Sequence, residues 1–146
     1  MAGEGKVNFS GMVLLAPYVD NSKTINFIGN EEENAKLIAA AEKDGYVVFT
    51  TKYGQVQELS KEFFNDITTI DPLANAAGFK GKAMVIYGED DNTVAPEISK
   101  RAVEVFNAKV LDVTGDTHSY SFYSDKPEIR SAIVVNTVNL FLETFK

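Results

Sequence analysis

The chain contains a single histidine, His118, set in the stretch TGDTHSYSFY between positions 114 and 123. Imidazole can take up and return a proton near neutral pH, so this residue has three readings: a catalytic base, a ligand, or a surface side chain in a loop. A base works best when an acid accepts its other N–H, which fixes the tautomer and steadies the imidazolium. Upstream, VIYGEDDNTVAPE supplies three consecutive acids, Glu89, Asp90 and Asp91. A run of acids commonly forms only a solvated turn. Here, however, Gly88, Asp91 and Val94 follow a Gly-x-x-Asp-x-x-Val pattern shortly before Pro96, a spacing that lets a turn aim the Asp91 carboxylate at an imidazole N–H. Asp116, two residues before His118, is an alternative acid, or a cap of its own turn. Ser119, Ser121 and Ser124 surround the histidine and read as loop hydroxyls, because no strained turn or oxyanion donor accompanies them.

Asp91 and His118 can meet only if the right elements precede them. Residues 12–16, MVLLA, form a continuous apolar run closed by Pro17, the pattern of a strand buried on both faces of a parallel sheet. KAMVIYG at 82–88 repeats it, and AKVLDVTG at 108–115 is a third candidate that stops at Gly115. Between the last two, APEISKRAVEVFNA carries Ile98, Ala102, Val105 and Phe106 at helical spacing, with Pro96 suited to a first turn. This is a strand-helix-strand crossover, so an acid after one strand and a histidine after the next both reach the carboxyl edge of a parallel sheet, where ligand sites of open α/β folds gather. KPEIRSAIVVNTVNLFLETF then predicts a long amphipathic closing helix with Ile129, Ala132, Ile133, Val138, Leu140 and Leu142 on its apolar side.

The middle of the chain has a different character. EEENAKLIAAAEKDG at 31–45 reads as a helix with acids in its first turn and Gly45 as its stop. YVVFTTKYGQVQEL predicts a hairpin turning around Lys52, Tyr53 and Gly54, and SKEFFNDI and DPLANAA predict two short helices. Phe63, Phe64, Tyr46 and Phe49 in this excursion either line an acyl or aromatic-acid pocket or form the core of the insertion itself.

Composition narrows the function classes. A length of 146 residues suits one domain with a buried core. The net charge of -7 and the lack of any Lys/Arg cluster argue against nucleic acid as a partner. With no cysteine, disulfides, thiolate catalysis and Cys-type zinc sites are excluded, and one histidine makes a transition-metal site an unexpected use of this chain. The longest apolar run is too short to span a bilayer and no signal-like segment opens the chain, so a soluble cytoplasmic protein without a membrane partner is expected.

With its acid after the penultimate strand and its histidine after the last, the chain resembles the α/β-hydrolase superfamily from about Met12 to the C-terminus. The resemblance is nearest to carboxylesterases of the feruloyl/cinnamoyl-esterase and monoglyceride-lipase kind, in which a small cap follows a segment comparable to LLAPYVD. It implies an α/β fold with a parallel three-stranded partial hydrolase sheet, crossover helices and a helix-hairpin-helix cap, in one domain over 1–146 with 18–78 as the cap-like insertion. It further implies Asp91 as catalytic acid, His118 as catalytic base, a small-molecule ester as substrate, and no metal or organic cofactor. Tyr87 departs from the histidine that is usual before the glycine of the acid motif. The larger departure is the nucleophile: no Gly-x-Ser-x-Gly turn occurs. The nearest string, Asn8-Phe9-Ser10-Gly11-Met12, has Asn and Met where Gly is required and puts Ser10 before a strand instead of after one.

The expected function is therefore that of the C-terminal portion of a serine carboxylesterase, inactive alone because nothing positions a nucleophile. The alternatives are a non-enzymatic, self-associating α/β module and a piece of a longer esterase. The strand at 12–16 should also expose an unpaired edge. The expected remedy is a homodimer in which two copies of this strand pair antiparallel into one sheet of about six strands, unless the insertion from Asn30 to Ala77 covers the edge.

Overall fold

The structure, a computed structural model, describes residues 7–21, 30–51, 53–120 and 126–145. Among these, the chain divides into two compact units, one made of Met1–Val19 with Pro72–Lys146 and the other of Asp20–Asp71.

The first unit is built on a parallel sheet of three strands, β1 (Gly11–Leu15), β4 (Lys82–Gly88) and β5 (Lys109–Val113), in the order β1-β4-β5. Gly11 to Leu15 lie beside Lys82 to Ile86, and Met84 to Gly88 beside Lys109 to Val113. The central strand is buried from Ala83 to Gly88, as its unbroken apolar run requires when helices cover both faces. On one face, Val85 and Tyr87 pack with Ala102 of the crossover helix α4 (Pro96–Phe106). On the other, Met84 and Ile86 pack with Ile133 and Leu140 of the closing helix α5 (Pro127–Thr144). The α/β class, the parallel sheet and the crossover follow the sequence-based expectation.

Details differ. The third strand ends at Val113, before Gly115, because the chain turns there with Gly115 at φ 66. β1 is only half-buried, with Leu15 44% exposed, and among the described residues β4 is the one strand beside it. The amphipathic reading of α5 is corrected: Ile133 and Leu140 are buried, but Val138 and Leu142 stand exposed at 48% and 56%. A three-stranded sheet is too narrow to cover more than one stripe of that helix.

In the second unit, α1 (Glu31–Asp44) opens with a capping box. The Glu33 N–H donates to Asn30 Oδ1 at 2.9 Å, and the Asn30 N–H donates to Glu33 Oε2 at 3.0 Å. The hairpin pairs β2 (Tyr46–Thr50) with β3 (Val56–Ser60), Tyr46 opposite Ser60 and Thr50 opposite Val56. Lys52 of its turn lies outside the described residues. Helix α2 (Lys61–Thr69) is capped by Ser60, whose hydroxyl accepts from the Phe63 N–H, and the short α3 (Pro72–Ala76) returns to the first unit. Ala41, Leu59 and Phe64 are buried together, with Phe49 and Phe63 packed against them. Three of the four aromatics therefore contribute to this unit's own core, while Tyr46 is half exposed.

Candidate active site

The crossover places two loops side by side at the carboxyl ends of β4 and β5. Their approach depends on Gly88, where any Cβ would run into the Asp116 carbonyl and lie 2.8 Å from that of Thr117. Without a side chain there, the loop after β5 settles over the end of β4, and the Asp90 N–H donates to the Asp116 carbonyl at 3.0 Å while the Glu89 N–H donates to Val113 at 3.1 Å. The glycine of the acid motif is thus a contact requirement between the two loops.

The turn after Gly88 sorts the three acids. Glu89 and Asp90 are exposed, whereas the Asp91 side chain is wholly buried. Its Oδ1 accepts from the Thr93 N–H at 2.8 Å and the Val94 N–H at 2.9 Å, a local Asx arrangement that locks the carboxylate. Val94, buried in the core shared by β4 and α5, anchors that turn from below. The other oxygen, Oδ2, is 2.9 Å from Nδ1 of His118. With the shared proton on Nδ1, Nε2 carries the lone pair of the neutral ring. The imidazole side chain is 46% exposed. A buried, fully hydrogen-bonded carboxylate orienting a half-exposed imidazole is the arrangement of a general base and its supporting acid.

Asp116 is buried and serves the loop contact through its backbone, while the carboxylate on the ring is that of Asp91. A residue that the pattern did not single out is Tyr120. It is buried, with φ 51, and its hydroxyl donates to the Ile86 carbonyl at 3.1 Å, the same oxygen that accepts the Ala16 N–H at 2.8 Å. Tyr120 therefore ties the His118 loop down to the middle strand. Burial, reinforced by the negative charges of Asp91 and Asp116, pushes its phenol far above the ordinary tyrosine range, so it stays a hydrogen-bond donor. The only signal in the sequence was an aromatic two residues after the histidine.

Two of the serine candidates, Ser10 and Ser119, lie among the described residues. Ser10 lies at the opposite end of the sheet, where its carbonyl accepts the Lys82 N–H at 2.9 Å. The seven residues of β4 separate the two ends by roughly 20 Å. Ser119 is within 3.2 Å of the Thr117 hydroxyl. Ser121 and Ser124 lie outside the described residues. Among the described residues, no group of three or more acidic or histidine side chains could hold a metal ion, and no helix is long and apolar enough to cross a membrane.

No protein-family model and no curated protein sequence matches the chain. Solved structures do. Est1E from Butyrivibrio proteoclasticus is similar with a TM-score of 0.69 at 15% identity, over 99% of this chain and 55% of that one. A structure of Est1E with ferulic acid bound gives 0.68 at 14% identity. A monoacylglycerol lipase from Paleococcus ferrophilus gives 0.61 at 16% identity, over 95% of this chain and 62% of that one. The alpha/beta hydrolase GrgF from Penicillium sp. sh18 gives 0.58 at 14% identity, over 90% and 54%. The chain thus spans between half and two thirds of the length of these proteins.

Proposed function

From the fold of part of an α/β hydrolase, we propose that this chain carries the acid and base of a carboxylic-ester hydrolase site. The observation that carries this reading is the 2.9 Å contact between the buried Asp91 Oδ2 and Nδ1 of the half-exposed His118 at the carboxyl edge of the sheet. In the proposed reaction His118 Nε2 removes the proton of a serine hydroxyl as that oxygen attacks the ester carbonyl. Asp91 stabilises the resulting imidazolium through Nδ1–H, and the imidazolium then protonates the leaving alkoxide. Water, deprotonated by the same nitrogen, cleaves the acyl-enzyme and regenerates the serine. Tyr120 and Gly88 position the base.

The sequence holds no Gly-x-Ser-x-Gly turn to present a serine to His118, so the 146-residue chain by itself is expected to turn over no ester. The test assays p-nitrophenyl acetate and methyl ferulate with the natural gene product purified from its source, and with the isolated chain beside its His118→Ala variant. The natural product should hydrolyse ester and react with a serine-directed fluorophosphonate, while the isolated chain should not exceed its variant. A natural product that does neither overturns the proposal.

A further inference from the structure

We propose that Ala16 and Tyr18 are positioning residues for His118, forming a two-state hinge whose held state props the histidine loop against Asp91. The inference rests on the fold and on the Asp91–His118 contact, and it stands whether or not the substrate is an ester.

Two independent features of the segment that leaves β1 cost free energy as it stands. Ala16 has φ 37, in the left-handed region that a residue with a Cβ seldom enters, and Pro17 after it favours an extended backbone at that position. A methyl side chain cannot offset this. What holds the conformation is tertiary: the Ala16 N–H donates to the Ile86 carbonyl at 2.8 Å, and the methyl is buried in the cluster of Met84, Ile86, Val94 and Tyr120. Two residues on, the Tyr18 hydroxyl is buried and has no hydrogen-bond partner among the described residues. A donor so placed has lost its water without replacement. Both costs are relieved together if Ala16 turns to an extended conformation and carries the phenol into water. The segment therefore has a second state close at hand.

The same atoms support the base. Tyr120, itself at φ 51, donates its hydroxyl to that Ile86 oxygen at 3.1 Å, so both segments are fastened to one acceptor. Ala16, Val94 and Tyr120 share one buried cluster, and Tyr18 packs against it. Val94 anchors the turn of Asp91 and Tyr120 the loop of His118, so release of Ala16 and Tyr18 removes packing from beneath both partners of the 2.9 Å contact. A close-packed cluster does not yield by degrees, and the contact is made or lost as a unit. Val19 ends the first unit and Asp20 begins the second, which makes this segment one of the two chain connections between them. A pull on that connection acts on Ala16 and so reaches His118.

Ring-nitrogen NMR and amide hydrogen exchange of the intact chain test this. Ala16→Val places a β-branched side chain where φ must be positive, which forces the released state. The His118 ring should then turn from the Nδ1–H tautomer that Asp91 selects to the Nε2–H tautomer of a free imidazole, with amide protection in β5 retained. Tyr18→Phe acts in the opposite direction. It deletes a hydroxyl that is stranded in the held state and hydrated in the released one, so exchange of the Ala16 amide should slow about fivefold or more with the tautomer unchanged. If Ala16→Val loses protection throughout β5, Tyr18→Phe decides alone. An unchanged tautomer in a folded Ala16→Val, or an Ala16 amide that exchanges as fast or faster in Tyr18→Phe, overturns the proposal.

Discussion

Asp91, and not its neighbours, holds the imidazole because only its side chain turns inward, and its three hydrogen bonds leave it no alternative orientation. In the proposed ester hydrolase, Asp91→Asn is expected to lower kcat by about 10⁴-fold, as the loss of a triad acid does, and Asp90→Asn by less than tenfold. Steady-state kinetics of the two variants distinguish them, and equal losses would mean that the wrong acid is assigned. Tyr120→Phe removes one hydrogen bond to the Ile86 carbonyl and should cost about 1 kcal/mol in chemical denaturation. Its pH dependence is also defined. Because the folded state raises the phenol above the unfolded value near 10, unfolding releases a group that ionises more readily. The stabilisation from this tyrosine is complete below pH ~10 and is lost as pH rises toward the folded value. Wild-type stability should therefore fall more steeply above pH ~10 than that of Tyr120→Phe.

Among the elements, the two β4 and β5 loops depend on a missing side chain and α1 depends on a present one. Gly88→Ala forces a methyl group against the Asp116 carbonyl, and because that obstacle is backbone the loops must separate. The expected result is a loss of about 1–3 kcal/mol together with a change in the His118 ring nitrogen NMR shifts that reports the broken contact with Asp91. Asn30→Ala opens the capping box of α1 and should cost about 1 kcal/mol while leaving those shifts unchanged. The elements themselves were readable in the sequence, because β4 is a pure apolar run and α4 has a helical apolar period. The sidedness of α5 was not. Its sequence is apolar nearly all round, so periodicity could not say that Val138 and Leu142 would face away from the sheet.

At the scale of the whole molecule, the described residues form three apolar clusters, and that of Ala41, Leu59 and Phe64 shares no buried residue with the two around β4. Phe64→Ala should therefore cost about 3–5 kcal/mol in the Asp20–Asp71 unit, read by loss of hydrogen-exchange protection in α1, with the His118 ring shifts retained. Simultaneous loss of protection throughout Lys82–Val113 would show that the two units unfold as one.

By itself the sequence determined the α/β order, the parallel sheet, and the delivery of an acid and a histidine to one sheet edge. Local patterns suffice for these, since an apolar run, a helical period and a proline-opened helix are each written within a dozen residues. Tertiary structure brought the Asp91 that the sequence pattern singles out onto the ring, and it alone decided that Gly88 is an empty space kept for the backbone of Asp116 and that Tyr120 fastens the histidine loop to Ile86. Each of these joins residues far apart in the chain, at separations of 27, 28 and 34 positions, and a contact of that range exists only once the strands have set the loops side by side.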